Sequence, residues 1–290
     1  MAAQVDAAAI ARLSLHDPRN FSLQYHQTQH RLSLIEQWAI DAGSKVLELG
    51  CGQGDCTTAL AAVTGDDGTV VAVDPAEPTY GAPYTLGQAQ SHISKGALGK
   101  RITWVQQSPL DYLASLRPSS APAFDATVLA HCLWYFSSPT LILETFRALK
   151  QHSKRLLLAE WSLVASQPSA QTHVLASLAQ ASLECRKTQS HSNIRSLLAP
   201  KRLGELAVKA GWQLEREALV QPEEGLLDGQ WEVSASLSES FSDEVQDMVA
   251  DERERAVVFA LQDACEASLQ TVPEGKKGVR AMDVWVASFK

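Results

Sequence analysis

Short apolar runs alternate with longer segments of helical periodicity along most of the chain, and that rhythm predicts the architecture. Apolar, β-branched runs at residues 45–49, 69–73, 102–106, 124–130 and 155–160 each read as a buried strand. Between them lie helical stretches: 55–63 after a glycine-rich turn, about 85–98, a short one after Ser108-Pro109, and 141–149 after Pro139. Five strands alternating with helices predict a parallel sheet covered on both faces. Ahead of the first strand, Leu23, His30, Leu34 and Trp38 recur at helical spacing over residues 21–42, with Gly43 as the stop. A weaker helical hint covers residues 5–13.

Beyond residue 160 the rhythm loosens. Residues 166–188 read as an alanine-rich helix and 200–209 as another that ends at Ala210-Gly211. Residues 212–220 alternate as a strand, and a short strand is expected near 231–235. Ser242, followed by Asp243 and Glu244, is the expected N-cap of one long helix to Leu269, in which the charge run 251–255 forms a solvated face. Residues 281–289 alternate as a last strand. The expected divisions are an N-terminal helical lid over 1–42, a core over 43–161, a helical cap insertion over 162–199, and a C-terminal half of the core over 200–290 that carries a second insertion at about 221–275.

Composition narrows the function. Hydrophobic residues make up 45% of the 290 and charged residues 20%, which is globular composition. The formal net charge of −8, with scattered arginines, argues against nucleic-acid partners and for a small-molecule substrate. No window resembles a signal peptide or a membrane span, and five spread cysteines with no C-x-x-C fit a reducing, cytoplasmic setting without structural zinc. His26 and His30 have i, i+4 spacing but no third ligand, so no metal is expected.

The chemistry gathers at residues 46–57, V-L-E-L-G-C-G-Q-G-D-C-T. A strand that passes through glycines into a helix N-terminus is a ligand cradle, because glycine lets backbone approach the ligand and the helix start offers free N–H groups. In the dinucleotide pattern G-x-G-x-x-G the third glycine would fall on Asp55, whose charge repels a pyrophosphate. The run Glu48-Leu49-Gly50-Cys51-Gly52-Gln53-Gly54 instead resembles the E/D-x-G-x-G-x-G motif of the class I S-adenosylmethionine-dependent methyltransferases, in the branch that acts on small, natural-product-like molecules.

That resemblance implies an α/β fold: a doubly wound, mostly parallel seven-stranded sheet whose final antiparallel strand inserts between the fifth and sixth, with helical cap insertions. It implies S-adenosylmethionine as cofactor, held by Tyr25, Glu48, Gly50, Cys51, Gly52, Gly54, Asp74 with Pro75, Ser108, Ala130 and His131. Asp74 takes the place of the ribose ligand and Ser108 that of the adenine partner. His131, at the end of a central strand, is the candidate base or positioning residue. His26, His30, Trp134, Tyr135 and Trp161 are the candidate substrate wall. The expected reaction is methyl transfer to an oxygen or nitrogen of a secondary-metabolite-like acceptor by a monomer or homodimer. The alternatives are a rearrangement or cyclisation in the same pocket, and a nicotinamide oxidoreductase.

Overall fold

A computed structural model describes residues 6–117, 121–187, 190 and 192–290. The outer ends of two expected segments, Val5 and Thr188, and residues 118–120 of an expected loop lie outside the described residues. The first helices are α1 (Ala7–Ala11) and α2 (Phe21–Trp38). The core then follows as β1 (Lys45–Leu49), α3 (Asp55–Val63), β2 (Thr69–Asp74), α4 (Leu86–Lys95), β3 (Ile102–Gln106), α5 (Pro109–Ser115), β4 (Ala126–Ala130), α6 (Pro139–His152) and β5 (Leu156–Trp161). After these come α7 (Gln171–Glu184), α8 (Pro200–Lys209), β6 (Leu214–Val220), α9 (Asp228–Ser236), α10 (Glu239–Met248), α11 (Glu252–Gln270) and β7 (Val284–Phe289).

The sheet has seven strands in the order β3-β2-β1-β4-β5-β7-β6. β7 runs antiparallel to both neighbours, with Leu156 opposite Phe289 and Leu214 also opposite Phe289. Side chains alternate between the two faces, as the twofold strand period requires. Val46, Val70, Val128, Leu157 and Val286 pack with Leu34, Trp38 and Leu60 of the helices on one face. Leu47, Leu49, Leu129, Leu158 and Phe289 pack with Phe146, Leu149 and Trp212 on the other. The buried Trp38 and Trp212 indoles each donate to a backbone carbonyl, Leu158 O and Phe146 O.

Three expectations change. α2 ends at Ala39, whose left-handed φ of 48° closes the helix four residues before Gly43. The expected long helix is two: Ser238 caps α10 by accepting from Phe241 N–H, and Asp251 caps α11 by accepting from Arg253 and Glu254 N–H. Ser242 therefore lies inside α10. The 251–255 run opens α11 and is solvated as expected, residues 251–254 being exposed, with Glu254 paired to Arg186 and the Arg255 guanidinium donating to Val249 O. Residues 231–235 are helical, within α9. The sheet's seven strands leave them no ladder, and they pack against α7 with Val233 buried beside Ala176 and Cys265. No helix among the described residues is long and apolar enough to cross a membrane.

Candidate active site

The site lies at the C-terminal ends of β1, β2, β4 and β5, beneath α2. Gly50 turns the chain at φ 75°, and a Cβ there would meet the Cys132 Cβ at 2.5 Å. Gly52, at φ 51°, faces open space. Asp74 sets the shape of this turn: its Oδ2 accepts from Gly52 N–H at 2.8 Å and its Oδ1 from Ala76 N–H at 2.9 Å. Each oxygen keeps a second lone pair for a ligand hydroxyl. α2 crosses above, where the Gln24 amide donates to Asp55 Oδ1 at 2.8 Å. Gln27 donates to Asp228 at the start of α9, tying α2 to the cap.

Glu48 is buried at the end of β1 and accepts from Thr57 Oγ1 at 2.5 Å. Burial pushes its carboxyl up to about 7, with the Thr57 bond and Arg31 working against that. Burial likewise pushes Glu160 up to about 7, opposed by three backbone donors and by Arg31. Asp228 is also raised by burial and drawn back by Arg31. The Arg31 charge thus lowers all three carboxyls, Glu48 and Glu160 buried and Asp228 half-buried, while its own Nη1 is buried without a protein partner.

A second group surrounds Trp161. His30 Nε2 and His131 Nε2 are 2.9 Å apart, and the two rings lie 6.1 and 4.3 Å from the indole. His173, from α7, meets the same indole edge-on at 5.0 Å. Burial drives all three imidazoles well towards the neutral form, His173 to about 3. His131 adopts φ 53°, a left-handed conformation in which histidine is several-fold enriched and which costs of order 1–3 kcal/mol.

The expected residues fall into two groups. Glu48, Gly50, Cys51, Gly52, Gly54 and Asp74 form the cradle, with the half-buried Ala130 and then His131 at the end of β4. Pro75 is exposed beyond Asp74. Tyr25 and His26 lie side by side on α2, their rings 5.2 Å apart, with His26 packed against Gly225. Trp134 is buried and donates to Leu198 O, which makes it packing, whereas Tyr135 is 43% exposed on the same turn. The Ser108 hydroxyl caps α5, accepting from Asp111 N–H and donating to Asp111 Oδ2 at 2.6 Å.

Sequence reading missed Arg31, Glu160, His173 and Asp228. Arg31 adjoins His30, and Glu160 ends a predicted strand in the position Glu48 nearly holds on β1. Those two were findable. His173 and Asp228 sit in insertions that carry no motif.

Residues 46–152 match the model of a methyltransferase domain family. A cyclopropane-fatty-acyl-phospholipid synthase-like protein from Lactobacillus casei superposes with a TM-score of 0.83 at 29% identity, over 98% of each chain. The methyltransferase phomM' of Diaporthe leptostromiformis is 29% identical over 281 residues, 84% of this chain and 73% of that one. The [4+2]-cyclase SpnF shares the fold, with a TM-score of 0.50 at 13% identity over 91% of this chain and 80% of that one. Glycine cradle, acidic β2 terminus and strand order agree with these likenesses: residues 46–152 carry a methyltransferase domain, on a Rossmann-like methyltransferase fold.

Proposed function

We propose that this enzyme transfers the methyl group of S-adenosylmethionine to an oxygen or nitrogen of a small, secondary-metabolite-like acceptor. The observation that carries the reading is the unpartnered Arg31 Nη1 among buried carboxyls above the glycine cradle. A buried donor without a partner costs about 1–3 kcal/mol, which a bound carboxylate removes. Glu48, Glu160 and Asp228 suit a ligand that also carries positive charge. An amino acid sulfonium has both features, whereas a dinucleotide has no carboxylate for Arg31 and its pyrophosphate would be repelled by Asp55. The residues present therefore fit the cofactor.

In this reading Arg31 holds the cofactor's carboxylate, Asp74 its ribose hydroxyls, and Gly52 gives its backbone room. The bound cofactor supplies a methyl carbon already activated by positive sulfur. The protein's task is alignment in a dry pocket, with α2 and the cap helices excluding water. The four buried thiols and the cytoplasm go together: Cys51, Cys56, Cys132 and Cys265 are free. The fold relative that is a cyclase motivates a second outcome, rearrangement without transfer.

Calorimetry with S-adenosylhomocysteine and with NADH tests the cofactor, with binding of the first alone expected. Incubating the enzyme with methyl-labelled cofactor and a metabolite extract tests the transfer. Label in a small-molecule product is expected; substrate turnover with no label in any product would establish the cyclase-like reaction instead.

A further inference from the structure

Three buried imidazoles surround Trp161, and their hydrogen bonds fix where their protons sit. His173 is the simplest. Its Nδ1 accepts from Met282 N–H at 3.0 Å, so its proton is on Nε2 and no basic lone pair remains. His30 and His131 share one proton between their Nε2 atoms, 2.9 Å apart, and either ring could be the donor. Glu160 decides. Its Oε2 accepts from Leu133 and Trp134 N–H at 2.8 and 3.3 Å, and its Oε1 from Trp161 N–H at 3.0 Å. Three converging N–H groups oppose the burial that raises this carboxyl to about 7, so above that pH it is the carboxylate. Its Oε1 lies 3.7 Å from His131 Nδ1. That is too long for a hydrogen bond but close enough to attract an N–H dipole and repel a lone pair. The His131 proton therefore sits on Nδ1, its Nε2 accepts from His30 Nε2–H, and His30 Nδ1 is left with a free lone pair. That atom is buried and has no protein partner.

We infer that His30 is the catalytic base of the reaction, with His131 and Glu160 as its positioning residues, and that the acceptor is an O–H group. This rests on the transferase reading above and narrows its acceptor to oxygen. The acceptor O–H bond breaks as its proton bonds to His30 Nδ1, and the oxygen keeps the electron pair with which it attacks the methyl carbon. A cofactor held by the cradle would supply that carbon, its positive sulfur taking up the electrons of the bond that breaks. His30 then passes its Nε2 proton to His131 Nε2. The positive charge comes to rest on His131, beside the Glu160 carboxylate, while His30 stays neutral with its proton on Nδ1. An amine acceptor already has a lone pair and needs no such relay. The charged groups facing this pair are Glu160 from β5 and Arg31 from α2, with neutral His173 across Trp161.

Nitrogen-15 NMR of the histidine-labelled full chain, free and with S-adenosylhomocysteine, reads the tautomers directly. Expected are a protonated Nδ1 on His131, a protonated Nε2 on His30 and an unprotonated Nδ1 on His30. Glu160→Gln should shift His131 towards the Nε2 tautomer. A wild-type His131 protonated on Nε2 overturns the inference, whatever the variant does. The labelled product supplies the second arm. Methyl on oxygen supports the inference, and methyl on nitrogen overturns it while leaving the transferase reading standing. With an oxygen acceptor in hand, His30→Gln should lower kcat by about 10²–10⁴-fold and leave KM nearly unchanged. A kcat within threefold of wild type would also overturn it.

Discussion

Glu48 shows how burial of one side chain in the cradle ties stability to pH. Its carboxyl ionises near 4.5 when unfolded and at about 7 when folded, because burial penalises the charge. The folded chain then holds the proton more tightly, so stability is lost as pH rises from about 4.5 through about 7. At 1.36 kcal/mol per pKa unit the loss approaches ~3 kcal/mol for this group. Glu48→Gln keeps an acceptor for Thr57 and removes the ionisation. Its stability advantage over wild type should grow between pH 5 and pH 8 by up to that amount, read from urea unfolding at both values. An advantage that stays constant with pH would mean that Glu48 ionises in the fold at its ordinary value. Asp74 is half-buried at the end of β2 and holds Gly52 and Ala76 N–H. Asp74→Asn keeps one acceptor and loses the charge. S-adenosylhomocysteine should bind about 10–100-fold more weakly, the equivalent of a lost charge-assisted bond of ~1.5–3 kcal/mol. Unchanged affinity by calorimetry would remove Asp74 from the ribose site.

The cradle between β1 and α3 was legible as an element because its backbone conformation demands particular residues. The structure separates its glycines into two kinds. A methyl at Gly50 would collide with Cys132, and its φ of 75° already disfavours a side chain. Gly50→Ala should cost ~3 kcal/mol or more and lower the melting temperature. Gly52→Ala meets open space, so its stability cost is the ~1–2 kcal/mol of a left-handed residue, while under the proposed binding mode the methyl would stand in the cofactor's way. It should lose more cofactor affinity than stability, as calorimetry beside thermal unfolding would show. A Gly52→Ala protein that binds S-adenosylhomocysteine as wild type does would move the ligand off that face. The strands were legible for a related reason, since buried parallel strands need continuous apolar runs. The caps were not. The break at Val249–Glu252 depends on Asp251 turning its carboxylate onto two backbone N–H groups, and α9 is helical because it packs on α7. Neither choice shows in local periodicity. His173 and Asp228 act through partners distant in sequence, so no spacing announces them, whereas Gly50 and Asp74 belong to one βαβ unit.

The order of strands makes the whole molecule depend on its last residues. β7 lies between β5 and the edge strand β6, so that side of the sheet is completed only after the chain has passed through α9, α10 and α11. The same strand reaches the site from behind: Trp161, which the three imidazoles surround, is paired to Val284 in its ladder, and Met282 N–H fixes the tautomer of His173. Cap, core and site are therefore closed by one segment, and the cap helices cannot be an independent addition to a finished core. Val284, Trp285, Val286, Ala287 and Phe289 are each at most 4% exposed. Burying side chains of this size contributes on the order of 10 kcal/mol, comparable with the ~5–15 kcal/mol total stability of a domain. Removing residues 281–290 should thus abolish cooperative unfolding of the entire chain and leave no S-adenosylhomocysteine binding. Circular dichroism through a thermal ramp and calorimetry at 25 °C measure the two consequences. A truncated chain that still melts cooperatively and still binds would show that β1 to β5 close the cradle by themselves, and that the C-terminal strand serves the cap alone.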